Sequence, residues 1–135
     1  MPPFRTLIAE DHAEFRRQLL RTLSEYPQYA VVAEVSDGLQ AVRNAEELQP
    51  DLVLLDLSLP ALNGMEAARR IRSVSPNSRI VILSQESSPD IMRGALRMGA
   101  LGYVLKSEAD ELPLALETVM KGVQFVSSCL RHTRA

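Results

Sequence analysis

The feature that most limits what this chain can become is a repeated pairing: a short apolar run followed by a stretch with helical periodicity. The runs occupy residues 6–9, 30–35, 52–55, 79–83 and 102–105. Most are continuous rather than alternating, as strands covered on both faces are, although runs this short also occur in buried helices. The segments between them decide the matter. After the first run, Phe15, Leu19, Leu20 and Leu23 fall on one helical face, with Glu14, Arg17, Gln18 and Arg21 on the rest of the turn. That helix is expected to stop near Tyr26-Pro27. A second, over 39–48, starts behind Ser36-Asp37-Gly38 and stops at Pro50, with apolar residues at 41, 42, 45 and 48. A third runs from about Gly64 to Val74, with Ala67, Ala68, Ile71 and Val74 on one side, and ends before Pro76. Ser88-Pro89-Asp90 opens a fourth, a capping serine followed by proline at the first helical position; Gly94 and Gly99 weaken it. The fifth, from Glu111 to Gly122, turns Leu112, Leu116, Val119 and Met120 inward and uses Gly122 as its stop.

Five strand-then-helix units with right-handed crossovers predict an α/β fold, a parallel sheet doubly wound by helices on both faces. A (β/α)₈ barrel requires about 250 residues, and 135 residues leave room for one domain. The dinucleotide-binding fold requires a Gly-rich first turn, which Ala9-Glu10-Asp11-His12 does not supply. A five-stranded open sheet remains. Ligands of such sheets bind beyond the carboxyl ends of the strands, so the polar residues that follow each run are the candidates for chemistry.

Those residues are Glu10 and Asp11 after the first run, Asp56 after the third, Ser84 after the fourth and Lys106 after the fifth. Three carboxylates, a hydroxyl and an ammonium would share one cleft. Two like charges about 4 Å apart repel by roughly 4 kcal/mol at an effective dielectric near 20, so the acids require a cation or a proton. Hard oxygen ligands favour Mg²⁺, which takes one or two carboxylates, keeps waters and bridges to phosphate oxygens. Ser84 and Lys106 turn a metal site into a phosphoryl site. Charge that spreads over equatorial oxygens during in-line transfer needs a cation and donors, which leaves Asp56 as the nucleophile. Taken singly, the residues have plainer readings. Glu10-Asp11 suits a solvated loop in which Asp11 caps the next helix, and Ser84 suits a turn. Asp56 does not, because it stands between Leu55 and Leu57, where an unpaired acid is costly. His12 is read as a surface neighbour of the site, and no Cys/His spacing for zinc occurs.

Charge and composition narrow the partners. Fifteen Lys+Arg against 17 Asp+Glu give a net charge of −2, so no bulk positive field would hold the chain to a nucleic acid. Cys129 is the single cysteine, the first residues lack a signal-peptide core, and no apolar run approaches the ~18 residues of a membrane span. A cytoplasmic protein without membrane contact is expected.

In Leu7-Ile8-Ala9-Glu10-Asp11-His12, the run from Asp51 through Asp56 to Pro60, Asn63-Gly64, Ile82-Leu83-Ser84 and Gly99 through Tyr103 to Lys106, the chain resembles the receiver domain of bacterial two-component response regulators. The wording is most similar to the branch that carries a C-terminal LuxR-type (NarL/FixJ-like) helix-turn-helix. The resemblance covers about Phe4 to Val123 and implies a flavodoxin-like (βα)₅ fold with strand order 2-1-3-4-5. A receiver domain is thus expected over 4–123, with 124–135 as the start of a linker or tail. The resemblance also implies that Asp56 accepts a phosphoryl group from a phosphohistidine on a sensor histidine kinase. Mg²⁺ would be held by Glu10, Asp11, Asp56 and the backbone carbonyl of Ser58. Ser84 and Tyr103 would act as the switch that reshapes the face of the fourth helix, fifth strand and fifth helix, with homodimerisation on phosphorylation as one output. Such a protein is not an enzyme beyond its own aspartyl phosphorylation and dephosphorylation. It would reach DNA only through an effector domain beyond Ala135, since Gly122 through Ser127 reads like the entry to a linker; a stand-alone receiver is the alternative. Ser107 follows Lys106 where many receivers have proline.

Two other functions compete with this one. A receiver-like module that is never phosphorylated and works by protein contacts alone would not need all five polar residues. An aspartyl-phosphate phosphatase would want a second Asp two residues after Asp56, where this chain has Ser58.

Overall fold

The computed structural model describes residues 2–131. Strands β1 (Phe4–Ala9), β2 (Tyr29–Val35), β3 (Leu52–Asp56), β4 (Arg79–Ser84) and β5 (Gly102–Leu105) alternate with helices α1 (Ala13–Ser24), α2 (Gly38–Leu48), α3 (Gly64–Val74), α4 (Pro89–Arg97) and α5 (Leu112–Met120). A 3₁₀ segment, Lys106–Glu111, joins β5 to α5. All strand pairs are parallel, in the order β2-β1-β3-β4-β5-β6. The sheet is therefore one strand wider than the five expected. β6 (Phe125–Val126) pairs with β5, and a short α6 (Ser128–Arg131) follows. The stretch read as the entry to a linker is part of the sheet layer up to Arg131, and 132–135 lie outside the described residues.

Burial explains the continuous runs. β3 and β5 are buried at every position, and β1 and β4 nearly so, because helices cover both faces. β2 is an edge strand with exposed and half-buried positions, Val32 among them. One core layer packs Leu7, Val53, Leu55, Ile80 and Ile82 against Ala41, Ala45, Ala67, Ala68 and Ile71 of α2 and α3. The other packs Ile8, Leu54, Val81 and Val104 against Phe15, Leu19 and Leu23 of α1 and Leu112, Leu116 and Val119 of α5.

The helix signals operate as local chemistry requires. Asp37, Asn63 and Ser88 accept the N–H of Gln40, Glu66 and Ile91, and Pro89 opens α4. His12, not Asp11, caps α1, with Nδ1 accepting from Phe15 N–H at 3.4 Å. Gly99 and Gly122 sit at φ +119° and +82°, just past the ends of α4 and α5. Gly94 faces Met65 on α3, where an added Cβ would stand 3.3 Å from the methionine methyl carbon. Close packing between α3 and α4 is thus its visible use.

Candidate functional site

Parallel strands all present their carboxyl ends at one edge, and there the chain departs from apolar residues. Glu10 leaves β1, Asp56 ends β3, Ser84 ends β4 and Lys106 leaves β5. Because the strand order places β3 between β1 and β4, the four segments meet at the point where the order reverses. Glu10 and Asp56 are buried and Asp11 is exposed, yet each carboxylate has an oxygen within 4.8 Å of the others. Lys106 Nζ lies 3.0 Å from Glu10 Oε1 and 3.5 Å from Asp56 Oδ2, and it donates to Glu10 Oε2 at 3.1 Å.

Asp56 is further fixed by its own loop: Oδ1 accepts Ser58 N–H at 3.1 Å, while Oδ2 faces the ammonium. The following turn is held close to the strand end by Gly64, where any Cβ would overlap the Asp56 carbonyl oxygen. Gly38 at the start of α2 meets the same loop. Its N–H donates to Pro60 O at 3.1 Å, and a Cβ there would overlap the Leu62 carbonyl oxygen.

Ser84 is buried at the other wall, its Oγ accepting Glu86 N–H at 2.8 Å. The Tyr103 ring is fully buried, and its hydroxyl donates to Glu86 O at 2.7 Å. The backbone of Glu86 is thus gripped from both sides, by Ser84 and by Tyr103. Burial raises the Tyr103 hydroxyl above the ordinary phenol range; a hydrogen bond with the Ser84 hydroxyl opposes the rise and the charge of Glu86 adds to it. The Lys106-Ser107 peptide is trans.

Glu10 carries the main electrostatic tension. Burial lifts its carboxyl above the usual carboxylate range and the Asp56 charge lifts it further, while Lys106 and His12 N–H pull the other way. Its Oε1 is buried without a well-directed hydrogen bond, although the ammonium stands beside it. An oxygen in that condition, flanked by two further carboxylates, fits a hard cation, and a divalent one would offset the acids as Lys106 alone does not. Asp11, exposed at the mouth, completes the donor set.

Every sequence-predicted site residue is therefore at this edge, with Tyr103 behind Ser84 and Ser58 on the rim. Two residues without an expected role also belong to it. Arg16 crosses from α1 to the strand ends, where its guanidinium donates to the carbonyls of Glu10 and Val35 and to Ser36 Oγ. Phe15 places its ring face 4.7 Å from Lys106 Nζ. Their nearness in sequence to Glu10-Asp11, at the start of the helix that leaves the site, is the signal that would have found them.

The response regulator receiver domain family matches residues 6–117. The chain is 37% identical over 129 residues to the nitrate/nitrite response regulator protein NarL of Escherichia coli K12, covering 95% of this chain but 60% of NarL. It superposes on a two-component response regulator of the LuxR family from Aurantimonas sp. SI85-9A1 with a TM-score of 0.91 and 35% identity, over 96% of this chain and 94% of that one. The isolated REC domain of RcsB from Salmonella enterica serovar Typhimurium, solved in the presence of the phosphomimetic BeF₃⁻, gives a TM-score of 0.89 at 26% identity, covering 96% and 97%. This chain belongs to the response regulator receiver domain family, within its NarL-like, LuxR-type branch.

Proposed function

We propose that this domain is a switch thrown by phosphorylation of Asp56. The observation that carries the reading is the buried Asp56 carboxylate held against Lys106 at 3.5 Å inside a cluster of three acids. An Asp56 oxygen attacks the phosphorus of a phosphohistidine on a sensor histidine kinase. The P–O bond forms as the P–N bond breaks, and its electron pair leaves with the imidazole nitrogen. Mg²⁺, held by Glu10, Asp11, Asp56 and the Ser58 carbonyl, supplies when bound the positive charge that offsets the acids and the incoming group. Lys106 receives one phosphoryl oxygen. Ser84, whose Oγ accepts Glu86 N–H and whose hydroxyl lies beside that of Tyr103, receives another by turning its O–H toward the phosphoryl group. The only reaction assigned to the domain is its own phosphorylation and the loss of that group.

The output follows from the grip on Glu86. Pulling Ser84 toward a phosphoryl oxygen changes what Glu86 N–H can reach, and Tyr103 holds the carbonyl of the same residue. The β4–α4 loop is a two-state element biased by new charge-assisted hydrogen bonds, worth roughly 1–3 kcal/mol in such systems. The solved RcsB domain with a phosphoryl mimic supports this use of the fold. The change is passed to a second copy of the chain or to a DNA-binding effector domain beyond residue 135, in the cytoplasm. The chain spans 60% of NarL, which agrees with such an arrangement. We assign the receiver unit to residues 4 to 131, since β6 and α6 pack on the sheet.

Incubation with Mg²⁺ and acetyl phosphate, followed by intact mass, tests the assignment. The native chain should gain one acid-labile phosphoryl group and Asp56→Asn none. A native mass that stays unchanged under conditions that label other receivers would leave the unphosphorylated binding module as the reading.

A further inference from the structure

Lys106 Nζ has neighbours on three sides: Glu10 at 3.0 and 3.1 Å, Asp56 at 3.5 Å and the ring of Phe15 at 4.7 Å. The two acids belong to the charge arrangement already described. The aromatic ring does not, and a core position needs no π face where leucine would pack. We propose that Phe15 is a positioning residue for Lys106, its ring face holding the ammonium over the site so that one N–H stays free for the group that reacts at Asp56. This inference rests on the phosphoryl-transfer reading.

The physical case lies in what each possible neighbour would do to a half-buried lysine. A long, rotamer-rich stem is costly to order, and an ammonium flanked only by Glu10 would settle onto that carboxylate. A fourth acid would restrain it but would add negative charge where three carboxylates already crowd. An aliphatic side chain would exclude water and return nothing to the cation. A ring face attracts the cation and takes none of its three N–H groups in a directed hydrogen bond. One then goes to Glu10, one faces Asp56, and the third remains.

The ring is itself aimed by the chain that carries Glu10. His12 N–H donates to Glu10 Oε2 at 3.0 Å, and His12 Nδ1 accepts Phe15 N–H at 3.4 Å. Glu10 and Phe15 thus belong to one short, internally bonded segment at the entrance of α1, and they hold the ammonium from two directions. Phe15 is buried, so water does not compete for the ring face.

Progressive fluorination of Phe15, introduced at that codon alone with one, two and three ring fluorines, tests the inference because it drains the ring face with little change of shape. Two quantities are read on the whole chain: the initial rate of Asp56 phosphorylation by acetyl phosphate, and the ring-current shift of the Lys106 ε-methylene protons. The rate should fall with each fluorine, to about three- to tenfold below native at the third, while Mg²⁺ affinity stays within about twofold. The ε-methylene protons should resonate upfield in the native chain and lose that shift in Phe15→Leu, with or without phosphodonor. A rate that stays flat along the series in folded protein, or ε-methylene protons at ordinary positions in the native chain, overturns the role of Phe15 alone. A native chain that takes up no phosphoryl group overturns the reading on which it rests.

Discussion

At the scale of single residues, the site is a compromise between reactivity and repulsion. Glu10, Asp11 and Asp56 keep oxygens within 4.8 Å of one another, and one ammonium does not balance three carboxylates. Without metal, Asp56→Asn should therefore stabilise the fold by about 1 kcal/mol, by removing like-charge repulsion. Urea unfolding should show the midpoint rising in EDTA, with the gain shrinking when millimolar Mg²⁺ is added. Lys106→Ala acts in the opposite sense, because it leaves the buried Glu10 without its partner; a loss of about 3 kcal/mol is expected. The same pair of residues separates metal binding from phosphoryl handling. Asp11→Ala should weaken Mg²⁺ binding strongly in a direct titration, whereas Lys106→Ala should leave it largely intact while blunting phosphorylation. Equal losses of metal affinity in the two variants would contradict the roles assigned to them.

At the scale of elements, the loop after β3 is closely constrained. It carries Ala61 at φ +68°, a left-handed conformation that an L residue other than glycine adopts at a cost of about 1 kcal/mol. Ala61→Gly should raise stability by at most about that amount. Gly38→Ala should do the reverse, by more than about 2 kcal/mol, since its Cβ would overlap Leu62 O and push the loop off α2. Chemical denaturation of both variants checks the pair, and phosphorylation rate reports whether the loop still presents Asp56. Helix α3 adds a pH signature. Glu66 pairs with Arg69 and Arg70, which hold its carboxyl well below the usual range, at about 2. A folded pKa below the unfolded one contributes stability above the unfolded value and loses it as pH falls toward about 2. The difference in urea midpoint between native and Glu66→Gln should accordingly be present near neutrality and vanish in acid. Both partners are exposed, so added salt should shrink it as well.

At the scale of the whole molecule, β6 and α6 carry ordered structure past residue 123. Leu105 N–H donates to the buried Ser127 Oγ at 2.7 Å, and Ser127 N–H donates to Tyr103 O at 2.9 Å. Glu108 and Glu111, in the segment that follows Lys106, accept from Ser128 and from Cys129 N–H, and Arg131 lies 3.7 Å from Glu111. The segment leaving the sheet is therefore fastened to the same strand and turn that carry Tyr103 and Lys106. Ser127→Ala should cost about 1–3 kcal/mol by stranding the Leu105 N–H. Shortening the chain to end at Val123 should lower the thermal midpoint by several degrees, because it bares the β5 edge and uncovers Tyr103 and Leu105. A truncated chain as stable as the full one would show that β6 and α6 are an appendage.

Five strand-and-helix units, the caps and stops of most helices, and the polar residues that follow four of the apolar runs are legible in the sequence. Each is a local property: hydrophobic periodicity, the geometry of a helix end, and the exit of charge from a buried strand. That Glu10, Asp11, Asp56, Ser84 and Lys106 would share one edge was legible as well, since a parallel sheet with right-handed crossovers brings all carboxyl ends together. Only the folded chain decided what each site residue touches. His12 rather than Asp11 took the cap, Phe15 came under Lys106, Arg16 closed on the carbonyls of β1 and β2, and residues 125–126 joined the sheet. Those outcomes depend on how far apart two packed elements lie and at what angle. That distance is set by the summed volumes of core side chains drawn from the whole chain, and no local stretch of sequence encodes it.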